Sequence, residues 1–309
     1  MRIVFFGSSE FSIPVLSALL SRHEVVQIVT TPEQKKGRGQ KRSGTVIQEF
    51  AMEHQLPFLE PKKLSDSEFV AQIQNLNPDF LVIASYGKLI PSSIFKLPKI
   101  AALNVHPSLL PRHRGASPIQ RTILEGDAKT GVSIAEITKD LDAGDIYAQV
   151  ETSIELTENA HQLSERLSKL AGQLVLEVIE QQRKGNLKKI SQSLSNATYA
   201  KKITKEEGKI DWNQPARVIH NQVRAYDPWP GAFTFLQGKR LKILGTELLS
   251  KVNEKVPPAS IISIDQDGIC VQTQSGSIKL KRVQLEGRKE VGAYEFALGQ
   301  RIKTGDRFQ

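Results

Sequence analysis

The sequence predicts a two-domain α/β protein, with an open, mostly parallel sheet covered by helices and then a small β-barrel. Three observations carry that expectation. Residues 1–200 alternate short apolar runs with amphipathic stretches, which is the pattern of a parallel sheet with crossover helices. Residues 232–283 instead alternate strand-like runs with turn residues, as a small barrel does. A length of 309 residues also exceeds the roughly 100–200 typical of one domain.

Residues 3–6, 25–30, 80–85 and 101–105 are apolar runs rich in β-branched or aromatic side chains, and each reads as a buried strand. Between them, residues 14–20, 46–54 and 67–74 repeat apolar side chains every three or four positions and read as helices. Strands over 131–137 and 146–150 are expected to follow a helix over 118–124, and a long helix from 160 to about 182 closes the unit. Lys184-Gly185-Asn186 and the polar stretch 191–198 suit a linker. Beyond it, a helix over 215–224 carries Pro215 in its first turn, where the missing donor costs nothing. Strands over 232–236, 240–248, 260–265, 269–274 and 278–283 are punctuated by Gly238, Asp267-Gly268 and Ser275-Gly276.

The single cysteine, Cys270, rules out an intramolecular disulfide and thiolate zinc frameworks, and its apolar neighbours Ile269 and Val271 suit a core thiol. No stretch approaches the roughly 20 apolar residues of a membrane helix. The N-terminus enters an apolar strand directly, without the pattern of a secretion signal. The expected home is the cytoplasm or an organelle matrix. Net charge is +9, and it is unevenly spread. Residues 1–204 hold 25 Lys and Arg against 21 Asp and Glu, whereas residues 205–309 hold 17 against 12. That gradient favours a polyanionic partner.

The segment Asn104-Val105-His106-Pro107-Ser108-Leu109-Leu110-Pro111 begins at the C-terminal end of an expected parallel strand, where open α/β sheets place their ligands. Asn104 and His106 are two residues apart, so an extended chain points both to one side. They offer an amide donor and an imidazole that gains or loses a proton near neutral pH. A plainer alternative is that both satisfy backbone groups at a strand end. In Asp140-Leu141-Asp142-Ala143-Gly144-Asp145, three carboxylates lie within six residues, and one could support the imidazole; spacing does not choose among them. The GxGxxG pattern of nicotinamide-binding folds is absent after Gly7. Residues 35–42 carry five positive charges, either as a solvated loop or as a clamp on phosphates. Lys239-Arg240-Leu241-Lys242 and Lys279-Leu280-Lys281-Arg282 place alternate cations on expected strands, which suits nucleic-acid backbone or simple edge protection.

Asn104-Val105-His106, Ser108-Leu109-Leu110-Pro111, Arg114-Gly115-Ala116-Ser117-Pro118-Ile119-Gln120 and Leu141-Asp142-Ala143-Gly144-Asp145 together resemble the signature of the folate-dependent formyltransferases. Phe5-Phe6-Gly7-Ser8-Ser9-Glu10-Phe11, Asp227-Pro228-Trp229-Pro230-Gly231-Ala232 and Gln284-Leu285-Glu286-Gly287-Arg288-Lys289 extend the resemblance over nearly the whole chain. His113 and Ser8-Ser9 depart from the usual residues, and neither touches the expected catalytic positions.

The resemblance implies a Rossmann-like formyltransferase catalytic domain over 1–189, a linker over 190–208 and an OB-like, tRNA-binding barrel over 209–309. It implies 10-formyltetrahydrofolate as co-substrate, methionyl initiator tRNA as the amine acceptor, a monomer, and no metal. Asn104, His106 and Asp142 would be catalytic, with Ser108, Leu109, Leu110 and Pro111 shaping the folate pocket. Arg38, Lys41 and Arg42 would contact tRNA. Two alternatives stay open: a formyltransferase acting on a small amine (glycinamide ribonucleotide or an amino sugar), and a non-catalytic RNA-binding protein on a relic fold.

Overall fold

Four consecutive residues, Ile3 to Phe6, lose all solvent exposure, which a strand achieves only when both faces of its sheet are covered. In the computed structural model, which describes residues 1–32, 34–36, 41–186, 188–249 and 256–309 (34–36 and 41–43 by backbone alone), this run is strand β1 (Arg2–Gly7). There follow α1 (Ser12–Arg22), β2 (Glu24–Val29), β3 (Gln34–Lys36), β4 (Lys41–Ser43), α2 (Val46–Glu53), β5 (Phe58–Leu59) and α3 (Ser67–Asn75). Next come β6 (Phe80–Ala84), α4 (Ser92–Phe95), β7 (Ala101–His106), β8 (Arg114–Gly115), α5 (Pro118–Leu124), β9 (Lys129–Glu136), β10 (Ile146–Ser153), α6 (Ala160–Arg183) and β11 (Tyr199–Ala200). The chain ends with α7 (Ala216–Ala225), β12 (Ala232–Leu236), β13 (Lys239–Leu249), β14 (Ile261–Asp265), β15 (Gly268–Gln272), β16 (Ser277–Leu285), β17 (Glu290–Gly292) and α8 (Ala293–Gln300).

Two compact units form. The first comprises Met1–Pro118, Lys129–Ser153 and Ser164–Lys201; the second comprises Ile119–Ala128, Ile154–Leu163 and Lys202–Gln309. The stretch 190–208 expected as a linker is thus divided, since its residues up to 201 belong to the first unit and those from 202 to the second.

In unit 1 the strand order is β10-β9-β7-β6-β1-β2-β5. The pairs β1–β2, β1–β6, β6–β7 and β2–β5 are parallel, and β7–β9 and β9–β10 are antiparallel. The chain builds outward from β1 to β2 and β5, then crosses to β6 on the other side of β1. In open α/β sheets such a reversal puts ligands beyond the C-terminal strand ends, and β7 ends on that side with Asn104 and His106. Gly7 is required at the exit of β1, because a Cβ there would stand 2.8 Å from Ser12 Oγ. The same hydroxyl donates to the Ala84 carbonyl at 2.6 Å and ties α1 to the end of β6. Helices α2 and α3 start at side-chain caps, with Thr45 Oγ1 accepting from the Gln48 amide and Asp66 Oδ1 from the Glu68 amide.

The expected basic loop over 35–42 is flanked by a short antiparallel ladder, with Lys35 opposite Arg42 and Lys36 opposite Lys41. Arg38 lies outside the described residues, and Lys41 and Arg42 are described by backbone only.

Unit 2 is built on an antiparallel sheet of order β12-β13-β16-β15-β14, with β17 added beside β16, an arrangement compatible with the expected barrel. Its core joins Trp212, Ile219 and Val223 to Leu241, Ile243, Ile261, Ile269, Val271, Ile278, Leu280 and Phe296. Cys270 is buried on β15, as its apolar neighbours suggest. Among the described residues no helix is long and apolar enough to cross a membrane.

Candidate active site

Strand β7 carries the site because its register fixes which side chains emerge at its end. Asn104 lies between Ile83 of β6 and Ala135 of β9, and His106 pairs with Ser133. Two residues apart on a strand, both side chains project to the same face, and there they meet a residue 38 positions away. Asn104 Nδ2 donates to Asp142 Oδ1 at 2.8 Å. The backbone N–H of Gly115 donates to Asp142 Oδ2, also at 2.8 Å. His106 Nδ1 stands 3.6 Å from the same Oδ2. Of the three acids whose roles spacing left undecided, Asp142 enters this cluster, Asp145 accepts from Ser191 Oγ at 2.9 Å, and Asp140 is exposed.

His106 is 4% exposed, and its other nitrogen fixes its tautomer. Nε2 lies 2.9 Å from the carbonyl oxygen of His113. A carbonyl only accepts, so Nε2 must carry the hydrogen. In the neutral ring Nδ1 is therefore a bare lone pair, turned toward a carboxylate but too far away for a hydrogen bond. The ring is held by one nitrogen and leaves the other for proton exchange.

Backbone conformation places these groups as much as side-chain chemistry does. Asp142 (φ 52°) and His113 (φ 60°) occupy the left-handed region, as does Gly115 at φ 120°. At Gly115 a Cβ would approach the Ala200 carbonyl oxygen to 2.7 Å, and at Gly144 one would approach that of Glu136 to 2.0 Å. Both positions therefore demand glycine, which lets strand β8 close on Ala200 and the Asp142 loop close on the end of β9.

The residues expected around the folate pocket divide in two. Ser108 is fully buried, with its hydroxyl donating to the Arg112 carbonyl at 2.7 Å, so it braces its own turn. Leu110 packs with Ala135 and Ile146, and its N–H donates to Ser133 Oγ. Leu109 and Pro111 are half-buried. Sequence reasoning overlooked three supporting residues. Ser133 Oγ donates to the Ser108 carbonyl at 2.6 Å, and Gln149 Nε2 donates to both Ser133 Oγ and the Leu110 carbonyl. Gln192 Nε2 donates to the carbonyls of Asp142 at 2.9 Å and Gly144 at 2.6 Å. Only a fold brings such residues beside the motif, and none stands in a recognisable local pattern.

The cationic strand segments of unit 2 also differ from each other. On β16, Lys279 pairs with Asp265 at 3.1 Å, Lys281 with Glu247 at 3.5 Å and Arg282 with Glu290 at 2.6 Å. On β13, Arg240 lies over the Phe233 ring at 3.6 Å, and its buried Nε has no hydrogen-bond partner. Lys209 lies 5.9 Å from the Phe235 ring centre. Among the described residues, Lys239, Arg240 and Lys242 have no carboxylate within ion-pair distance.

Comparison with known proteins finds matches along the whole chain. Residues 1–179 match the family model described as formyl transferase, and residues 202–301 match that of the formyl transferase C-terminal domain. The chain is 40% identical over 312 residues to the methionyl-tRNA formyltransferase of Sulfurihydrogenibium sp. (strain YO3AOP1), covering 100% of both chains. In structure it resembles HypX from Aquifex aeolicus, solved in complex with tetrahydrofolic acid (TM-score 0.66, 18% identity, 96% of this chain, 47% of HypX). It therefore spans about half the length of HypX. It also resembles the N-formyltransferase from Helicobacter canadensis, solved with folinic acid and dTDP-3-aminofucose (TM-score 0.63, 16% identity, 91% of this chain, 98% of that one). At these identities the structural likeness is one of fold.

Proposed function

The chain belongs to the formyl transferase family, and from that premise we propose that it transfers the formyl group of 10-formyltetrahydrofolate to the amino group of methionyl initiator tRNA. Full-length similarity to methionyl-tRNA formyltransferases supports the acceptor. The observation that carries the chemistry is the convergence of Asn104, His106 and Asp142 at the C-terminal end of strand β7.

In this reading the amine nitrogen attacks the formyl carbon to give a tetrahedral oxyanion. Asn104 commits one amide hydrogen to Asp142 and keeps the second for that oxyanion, a contribution of about 3–4 kcal/mol in comparable sites. His106 Nδ1 receives the proton released by the amine, directly or through one water, and Asp142 stands beside the imidazolium that forms. The proton then passes to the folate nitrogen as the carbon–nitrogen bond breaks, leaving tetrahydrofolate and a formylated amine. The formyl carbon is already electrophilic on its folate nitrogen, so the steps drawn here call on no metal. Leu109 and Pro111 offer an apolar edge for the folate ring, and Ser108 and Leu110 keep that edge in place.

We assign catalysis to residues 1–189 and tRNA binding to residues 209–309, together with Arg38, Lys41 and Arg42. In the C-terminal part, β13 supports RNA contact better than β16, because its cations are not already neutralised by carboxylates. The test is incubation with charged initiator tRNA and 10-formyltetrahydrofolate, with glycinamide ribonucleotide and an amino sugar nucleotide as competing acceptors. Formylmethionyl-tRNA is the expected product. A methionyl amine left free under conditions where an authentic enzyme reacts, or preferential formylation of a small amine, overturns the assignment.

A further inference from the structure

Residues 190–200 form a strap within unit 1, and both of its ends bond to segments around the candidate active site. Ile190 exchanges backbone hydrogen bonds with Ile146 at 2.8 and 2.9 Å. Ser191 Oγ donates to Asp145. Thr198 accepts at its hydroxyl from the His113 N–H and at its carbonyl from the Arg114 N–H. Ala200 accepts from the Ala116 and Ser117 amides, and β11 pairs in parallel with β8. Each of these attachments lies at the Asp142 loop or on the turn 113–117.

Gln192 is the member that joins the two. Its amide nitrogen has two hydrogens, and it gives both to the carbonyls of Asp142 and Gly144. Its oxygen accepts twice from Arg114, from Nε at 3.0 Å and Nη2 at 2.7 Å, and Arg114 is only 3% exposed. One residue further along, Gly115 N–H holds Asp142 Oδ2, and one residue earlier, His113 O holds His106 Nε2. A single side chain thus sets the spacing between the loop that carries the carboxylate and the turn that anchors the imidazole. The backbone of Asp142 is left-handed, a conformation that aspartate tolerates better than most residues but that still has to be held in place. The two accepted hydrogen bonds favour it.

We propose that Gln192 is a positioning residue for formyl transfer, acting through Asp142 and Arg114 to hold Asn104 and His106 in register. This inference rests on the reading of Asn104, His106 and Asp142 as the transfer site. Removing Gln192 takes away the bridge from Arg114 to the Asp142 and Gly144 carbonyls and leaves the Gly115 N–H bond to the carboxylate, without removing any group that reacts. The consequence falls on kcat, because displacing reacting groups by about 1 Å costs on the order of 100-fold.

The test compares the wild-type chain with Gln192→Ala, Gln192→Glu, Asp142→Asn and the double variant Gln192→Ala/Asp142→Asn, each checked by thermal melting. Glutamate matches glutamine in size and keeps the Arg114 contact, but sets a carboxylate oxygen against two carbonyl oxygens. Both Gln192 variants are expected to fold, to lose roughly 10- to 100-fold in kcat and to keep KM for formyl donor and tRNA within about twofold. In the Asp142→Asn background, Gln192→Ala should cost little more, because the two act as one unit. Unchanged kcat in both Gln192 variants overturns the proposal, as do fully additive losses in the double variant or failure of both Gln192 variants to fold. A wild-type chain that leaves the methionyl amine free refutes the functional reading itself, and this role falls with it, an outcome distinct from an active wild type with indifferent variants.

Discussion

His106 in unit 1 and His220 in unit 2 are equally buried, at 4% and 5% exposure, and each donates from Nε2 to a backbone carbonyl, that of His113 or Leu156. They differ at the other nitrogen. His106 Nδ1 faces the Asp142 carboxylate at 3.6 Å with no hydrogen bond, whereas His220 Nδ1 is bonded to the Thr246 hydroxyl at 2.9 Å. Burial and tautomer are therefore shared, and neither sets the two apart. What sets His106 apart is a ring nitrogen without a hydrogen bond beside a carboxylate, the arrangement that the proposed transfer uses. His220 has both nitrogens engaged, and beside it on the same helix Arg224 donates to the carbonyls of Glu155 and Glu158. That side of α7 serves to hold unit 2 together.

The sharpest way to break the comparison is to exchange the two side chains for inert ones. His106→Ala should reduce the transfer rate by about 10²–10⁴-fold while leaving tRNA affinity nearly intact. Single-turnover kinetics and equilibrium binding measured on the same preparation separate the two effects. If affinity falls in step with rate, His106 serves to position RNA and the contrast with His220 disappears.

The same reasoning distinguishes the two cationic strands of unit 2, with a smaller effect. The ion pairs on β16 contribute little to stability, but each also withdraws a cation from any polyanionic partner. Arg240 instead stacks on Phe233, and a cation on an aromatic face keeps its charge available. Arg240→Ala combined with Lys242→Ala should flatten the salt dependence of tRNA binding by about one unit of slope for each phosphate left without its cation. Lys281→Ala combined with Arg282→Ala should leave that slope unchanged. Equal flattening by both pairs would show that the carboxylates on β16 yield to RNA.

Much of the catalytic unit is legible in the sequence alone. The strand over 101–105, its pair of polar residues at i and i+2, and the acidic loop follow from apolar runs and period-2 geometry. The choice of Asp142 over Asp140 and Asp145 does not, because three acids in one turn look alike until the backbone fixes which one points inward. Strands β8 and β11 are two residues each, too short for any periodicity to register. Gln192 sits in a polar stretch with the composition of a linker, and its bonds lie 48 and 50 residues away in sequence. Helix α8 buries only Ala293, Phe296 and Ala297, a stripe too brief to stand out from the strands before it. The paired carboxylates of β16 are equally invisible, since Glu247 lies 34 residues, and Asp265 14 residues, from the lysines they meet. What the sequence conceals is cross-chain pairing, and local pattern carries no information about it.

The smallest expected effect belongs to His220 and concerns stability alone. Burial holds its pKa below the ordinary 6.5, Arg224 and Arg217 push in the same direction, and the hydrogen bond to the Leu156 carbonyl opposes them. Because the folded pKa is depressed, the unfolded chain takes up the proton first as pH falls. The contribution of neutral His220 is therefore complete above pH 6.5 and is lost as pH drops toward the folded value. His23 in unit 1 is shifted the same way by burial and by the N-terminal charge, so the wild-type slope has two sources. Urea midpoints measured from about pH 7.5 to 5.5 should fall less steeply for His220→Gln than for wild type, with transfer at neutral pH retained. An identical slope would mean that His220 takes up its proton as readily in the fold as in the unfolded chain, and that burial does not disfavour its charged form.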